Sequence, residues 1–439
     1  MSLLPILKLS DLPLQEKQNI VCRKSLDLTD ILNDVVHPVG NDLKNDTRKK
    51  LLEYSGKWDR CRPDPLVVTK QEMKDSYASM LDTKYDAIKS FEEAKVNITL
   101  FHERQKPQNI ETTISKNKLG MKFVPFDKVA LYVPGGKALY PSTVLMGVIP
   151  AKIAGVRDIT IISPPNPQTG KVPEIVKAIA HISGADRIVQ AGGAQAVIAM
   201  AYGIPEENIA PVDYIFGPGN KYVAAAKNYV FSNNLCGIDS FAGPSEVLII
   251  ADHTANPWYL AHDLMAQAEH DEDASAILLC TSEKIAGETV LFMEKALSGR
   301  KERETITRNS IQKNGKILIV PSLDEAIEFS NEYAPEHLEI QTEKDDFVLE
   351  QITAAGSIFC GPYAPVAIGD YFSGTNHILP TNRAARFASG VSVHSFFRRI
   401  TYQTVSREGL DLSRIPITHM SKEEGLFDEH GYSVLARFE

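Results

Sequence analysis

The chain has no apolar run approaching the roughly 20 residues a membrane-spanning helix needs, so no spanning helix is expected. Its opening residues, MSLLPILKLSDLP, lack a basic segment, and Pro5 interrupts their short apolar run, so no signal peptide is expected. Cysteine is scarce: Cys22, Cys61, Cys236, Cys280 and Cys360 form an odd set without CxxC spacing. Several lie in apolar runs such as Ile277-Leu278-Leu279-Cys280, which predicts buried thiols in a reducing compartment and argues against disulfides or a thiolate metal site. Positive charge is also short, 47 Lys and Arg against 56 Asp and Glu for a net charge of -9. That balance argues against nucleic acid or an anionic membrane as partner. The absences together predict a cytoplasmic protein. What is present is an ordinary globular composition, 43% hydrophobic and 23% charged, in 439 residues, enough for two or three domains and a large core.

Residues 1–25 read as a short arm with little periodicity. From Asp27 to Ile98 the pattern is helical and highly charged; Met73, Tyr77, Met80, Leu81, Tyr85, Ile88 and Phe91 fall at helical spacing, which predicts core packing. After Phe126 strands and helices alternate. VALYV (129–133), DITIIS (158–163), DRIVQ (186–190) and VDYIF (212–216) read as strands separated by helices, implying a parallel sheet with right-handed crossovers. Three glycine-bearing turns, at 134–136, 191–193 and 217–219, each follow a strand and precede a helix. None is GxGxxG, but glycine lets a ligand approach the backbone, and a helix N-terminus offers N–H donors to phosphate. The alternation resumes after Ser245 with EVLIIAD, SAILLC, GKILIV and GSIFC as strands. The predicted fold is α/β, with two Rossmann-like, doubly wound, mostly parallel domains, one inserted in the other. Residues 26–130 and 241–385 form the first domain, 131–240 the insert, and 386–439 an extended tail. No internal repeat is evident. Ligands are expected at the carboxyl ends of the strands.

Candidate chemistry begins at Asn256 to His270. Asn256-Pro257 opens a helix, and Gln267 and His270, three apart, share a face with Asp263. An amide, an imidazole and a carboxylate on one stripe are a plausible half of a metal site, set against the commoner solvated face. The stretch GPYAPVAIGDYFSGTNHILPT, about twenty residues, carries Asp370 and His377, and a loop of that length is uncommon unless functional. Glu336-His337 offers acid/base capacity near neutral pH, although neighbours on a strand point oppositely unless the backbone turns there. By composition alone His430 is a surface histidine.

The words VALYVPGG, PSTVLM, PAKIAGV, AGGAQA, IFGPGN, AGPSEVLIIAD, DLMAQAEH, APEHLEI, GDYFSGTNHILPT and FHERQ resemble the histidinol dehydrogenase family, in order from about residue 25 to the C-terminus. The resemblance implies oxidation of L-histidinol to L-histidine in two successive NAD-dependent steps at one site. It implies a zinc-bound homodimer whose terminal segments reach the partner subunit. Zinc would be held by Gln267, His270, Asp370 and His430, the last from the other subunit, and would orient substrate. His337 matches the general base and Glu336 the residue activating water; Ser245, His377 and Glu424 match substrate contacts. Tyr132, Gln195 and Asn220 match NAD contacts. The chain departs from the pattern at Ala130, where most of the family has Gly, and at Glu424 and His430, six apart where five is usual. Glu423 and Glu429 are alternatives for that carboxylate. Oxidation of another small hydroxyl compound is the alternative reading, with metal-dependent hydrolysis behind it.

Overall fold

Continuous apolar runs such as Val129-Ala130-Leu131 and Val247-Leu248-Ile249-Ile250 suit strands covered on both faces. In the computed structural model both runs are fully buried at the centres of parallel sheets. The structure describes residues 3–23, 27–135, 139–240, 243–298 and 303–439. The described strands are β1 Ile6–Lys8, β2 Val67–Val68, β3 Ile110–Ile114, β4 Asn117–Pro125, β5 Lys128–Tyr132, β6 Asp158–Ser163, β7 Arg187–Gln190 and β8 Tyr214–Phe216. After them come β9 Gly237–Ile238, β10 Glu246–Ala251, β11 Ser275–Cys280, β12 Lys316–Ile319, β13 His337–Gln341, β14 Ser357–Cys360 and β15 Phe397–Thr404.

One six-stranded sheet runs β2-β7-β6-β5-β8-β9 and the other β1-β12-β11-β10-β13-β14. Numbered within each unit, the five parallel strands of both follow the order 3-2-1-4-5. So the two sheets are topological duplicates, although no repeat is evident in the sequence. Each also gains a strand beyond its third: β2 pairs antiparallel with β7, and β1 pairs parallel with β12. The α/β class with Rossmann-like parallel sheets is as the sequence predicts.

Three boundaries differ from expectation. The helices between 29 and 103 cover the sheet of residues 128–238, not the outer one: Lys70–Thr83 lies on Glu174–Ser183, Tyr85–Glu103 on Pro141–Ala154, and His37–Asn45 on Gly193–Tyr202. Their periodicity announces a buried face without saying what buries it. The N-terminal arm is ordered into β1 and a helix, Leu14–Cys22. The tail, expected to be extended, holds β15, a helix at Arg407–Glu423 and a π-turn at Phe427–Gly431. The run VSVHSFF is mostly a 3-10 turn at Val393–Phe396 that leads into β15. β15 pairs with the β3–β4 hairpin to make a third sheet. Among the described residues no helix is long and apolar enough to cross a membrane.

The insert is closed by a buried ion pair. Lys227 Nζ, 1% exposed, donates to Asp239 Oδ1 at 2.6 Å and to the Gly217 carbonyl at 2.5 Å. Lys227→Met leaves the Asp239 carboxylate buried without its cation. The expected loss is about 3–5 kcal/mol, the scale of a broken buried pair. Urea unfolding checks it, and a loss below about 1 kcal/mol would refute the assignment.

Candidate active site

At the carboxyl ends of β5 to β8 lies a cavity of about 640 Å³, lined by Tyr132, Gln195 and Asn220 among others. Pro134 and Gly135 of the first glycine turn and Gly193 of the second line it, and the third turn leads into the lining residue Asn220; Gly136 lies outside the described residues. Gly193 N–H donates to the Tyr132 hydroxyl at 3.0 Å, and burial pushes that phenol up to about 12. Gln195 is fully buried; its Nε2 donates to Asp59 Oδ2 at 3.3 Å, and its Oε1 has no partner. Asp59 also accepts Gly192 N–H at 3.2 Å, and burial raises its carboxyl. Asn220 caps the following helix, accepting from Tyr222 N at 3.0 Å and Val223 N at 3.2 Å. Gly217, at φ +108°, is needed because a Cβ there would sit 2.4 Å from the Tyr132 carbonyl. Asp59 and neighbouring Trp58 were missed by sequence reasoning; they end a charged helix with no distinguishing pattern.

The second cluster overturns one expectation. Ser245, Glu246, Glu336 and His337 lie at the amino ends of β10 and β13, not at the carboxyl ends. The connection explains it. The helix Pro257–Ala268 leaves the carboxyl end of its sheet and returns to the amino end, carrying Gln267 there.

Glu336 precedes its strand, so the backbone turn lets both members of the Glu-His pair face the same cluster. Their nearest polar atoms, Glu336 Oε2 and His337 Nδ1, are 3.5 Å apart. Glu336 Oε2 accepts from Ser245 Oγ at 2.7 Å and Glu246 N at 2.9 Å. Burial raises its carboxyl; the His337 ring and the Ser245 hydroxyl oppose that shift. His337 Nδ1 lies 2.9 Å from the Glu246 carbonyl, which can only accept, so Nδ1 carries the proton. That leaves Nε2 unprotonated when the ring is neutral. It is buried, without a hydrogen-bond partner and 3.9 Å from Asp370 Oδ1.

Gln267 is 2% exposed, and neither amide atom has a partner. Such burial costs several kcal/mol in the absence of a ligand, and it is the strongest local sign of a bound group. His270 lies past the helix end, in a turn where Arg303 donates to the Glu269 carbonyl at 2.8 Å and the His270 carbonyl at 3.0 Å. Asp263 does not join the cluster: it accepts from Gln341 Nε2 at 3.1 Å and faces buried Glu339. Asp370 lies on a short helix, Val366–Tyr371, inside the stretch expected to be loop. His377 Nδ1 donates to the Asp370 carbonyl at 2.9 Å, and its Nε2 is 3.1 Å from Thr143 Oγ1. Burial lowers the His377 ring; Asp370 opposes, while His337 and His270 add to the lowering. His377, Asp370, His337 and His270 thus lie within electrostatic reach of one another, and His270 N–H donates to the Gln267 carbonyl at 3.2 Å.

Glu424 and His430 stand apart. Both are exposed on the tail, and no described hydrogen bond or ion pair links them to the other candidates. The extra residue between them coincides with the π-turn, which absorbs one residue into a helical path. Among the described residues no three histidine, cysteine or carboxylate side chains form a metal cage. Gln267, His270 and Asp370 offer three donors from one chain, one short of a four-coordinate zinc.

A family model described as histidinol dehydrogenase matches residues 22–438. This chain belongs to the histidinol dehydrogenase family. Histidinol dehydrogenase of Leptospira biflexa is 46% identical over 404 residues, covering 92% of each chain. That of Methanocaldococcus jannaschii is 42% identical over 427 residues, covering 96% of each. The crystal structure of histidinol dehydrogenase from Elizabethkingia anophelis superposes with a TM-score of 0.91 at 37% identity, covering 100% of this chain and 98% of that one. The protein is therefore a dehydrogenase of that family, with the α/β fold those relatives share.

Ser245→Ala removes a hydroxyl that favours the ionised Glu336. The carboxyl should then titrate higher, because one charge-assisted hydrogen bond to its ionised form is lost. The acid limb of the pH–rate profile is expected to move up accordingly. An unmoved limb would show that Glu336 does not set it.

Proposed function

We propose that the protein oxidises L-histidinol to L-histidine in two NAD-dependent steps, with one zinc ion per subunit. The observation that carries this reading is a seam. The polar cluster that holds Glu336 and His337 touches the insert where His377 Nε2 lies 3.1 Å from Thr143 Oγ1, on the helix Pro141–Ala154 that follows the Pro134–Gly135 turn of the cavity wall. A substrate beside His337 would thus lie next to a cofactor seated over Tyr132, Gln195 and the N-terminus of the helix Asn220 caps.

Gln267, His270 and Asp370 would hold the zinc together with His430 of the partner subunit. Their mixed amide, imidazole and carboxylate donors suit it, and the partnerless Gln267 amide supports a bound ion there. When bound, zinc would anchor the imidazole and amino nitrogens of the substrate, and NAD would accept hydride. His337 Nε2, unprotonated and unpartnered, takes the proton of the substrate hydroxyl as its carbon is oxidised. Glu336, ionised, takes a proton from water for the second oxidation, oriented by Ser245 and the Glu246 N–H. His377, kept neutral by burial, and Glu424 of the partner subunit complete the substrate contacts. The working form is a homodimer, because the exposed tail carries the two groups each site lacks.

His337→Asn should retain its zinc and lose turnover by about a hundredfold or more, the scale of a lost general base. Metal analysis and NADH absorbance check both halves, and a loss of only a few fold would remove His337 from the role. Histidinol turnover should vanish when metal is stripped and return with zinc. His430→Ala and Gln267→Ala chains, each inactive, should partly rescue one another in mixed dimers, because one of the two sites is then intact. Mixed dimers that form without activity would overturn the shared site.

A further inference from the structure

Glu246 is the residue on which both members of the catalytic pair rest. Its backbone N–H donates to Glu336 at 2.9 Å, and its carbonyl receives His337 Nδ1 at 2.9 Å. Its own carboxylate plays no part in the reaction described above. It is 3% exposed, accepts Asn382 N–H at 2.7 Å on Oε1, and pairs through Oε2 with the Arg23 guanidinium. Arg23 arrives from the far end of the chain. Its guanidinium lies 3.4 Å from the centroid of the Tyr333 ring and donates to the Tyr333 carbonyl at 2.6 Å. Its backbone sits at φ 53°, a region side chains rarely adopt and that persists only where surrounding contacts impose it.

We propose that Arg23 and Glu246 form a positioning pair, in which the N-terminal arm fixes the start of β10 and thereby the aim of His337 and Glu336. A carboxylate this deep has no solvent to stabilise it. Burial and the Glu336 charge push it up to about 7, and Arg23 opposes them. Without Arg23 the Glu246 side chain loses its counter-charge, and the strand end that carries the two backbone contacts is free to shift. A misplacement near 1 Å at a reacting group can cost about a hundredfold in rate. The proposal rests on His337 being the general base.

The test is a double-mutant cycle on the zinc-loaded enzyme, with Arg23→Met, Arg23→Lys, Glu246→Gln and His337→Asn. Arg23→Met is expected to lower kcat by about 10–100-fold, as lost outer partners of a site do, with KM for histidinol within about threefold of wild type. Arg23→Lys should recover most of that loss, because the charge returns. In the His337→Asn background Arg23→Met should cost about threefold or less, because the group it aims is gone. An additive loss in that background, or an Arg23→Met enzyme within about threefold of wild type, would overturn the proposal while leaving His337 in its role. If Arg23→Met does not fold, Glu246→Gln carries the test. It should lower kcat without raising KM, and a rise in KM alone would refute the pair. Failure of His337→Asn to lose turnover would instead sink the general-base reading itself.

Discussion

An imidazole and a carboxylate withdrawn from water must be satisfied by the protein, or they stay costly. Glu336 and His337 are both less than a tenth exposed. Glu336 takes its two donors, and His337 its one acceptor, from Ser245 and from Glu246, the first residue of β10. This arrangement fixes which ring nitrogen of His337 carries a proton, and it holds the carboxyl of Glu336 against a rise that burial alone would drive further. It also requires that β10 and β13 be parallel neighbours in a set register, with Val247 opposite His337. The fold order is thus a condition of the proposed chemistry.

The two sheets share a strand order but not a use. The insert follows the general rule for open α/β sheets and presents its cavity at the carboxyl strand ends. The outer sheet gathers its polar residues at the opposite end. Placed so, the two ends face each other, and short polar contacts cross the seam: Thr143 to His377, and Asn376 Nδ2 to the Met146 carbonyl at 2.7 Å. The hydride transfer proposed above would need this adjacency, and neither sheet supplies it alone.

Much of this was legible in the residues. The helix at 257–268 announces itself through Asn256-Pro257, and Asn256 does cap it, accepting from Trp258 N at 2.9 Å. The strand–glycine–helix turns mark the end of the sheet where the cavity lies. Other features left no readable trace. The β3–β4 hairpin turns on Ser115 and Lys116, both at positive φ, without the Gly or Asn that usually marks such a turn. The duplicated topology is invisible because a buried parallel strand asks only for an apolar run, which different residues satisfy equally well. Asp263 shares a helical stripe with Gln267, yet turns to Gln341 and Glu339; spacing gives a direction, not a neighbour. Arg23 and Glu246 are more than two hundred residues apart, and only packing reveals the pair.

Helix direction has one more effect. The cavity of the insert is lined by residues at the start of the helices at Gly193–Tyr202 and Lys221–Ser232, whose amide dipoles leave a partial positive charge there. The helix that bears Gln267 points the other way and delivers its partial negative end beside His270, where Arg303 engages two carbonyls just beyond the last turn. The same chain thereby offers an anion-favouring field on one side of the seam and a cation-favouring field on the other, before any ionised side chain is counted.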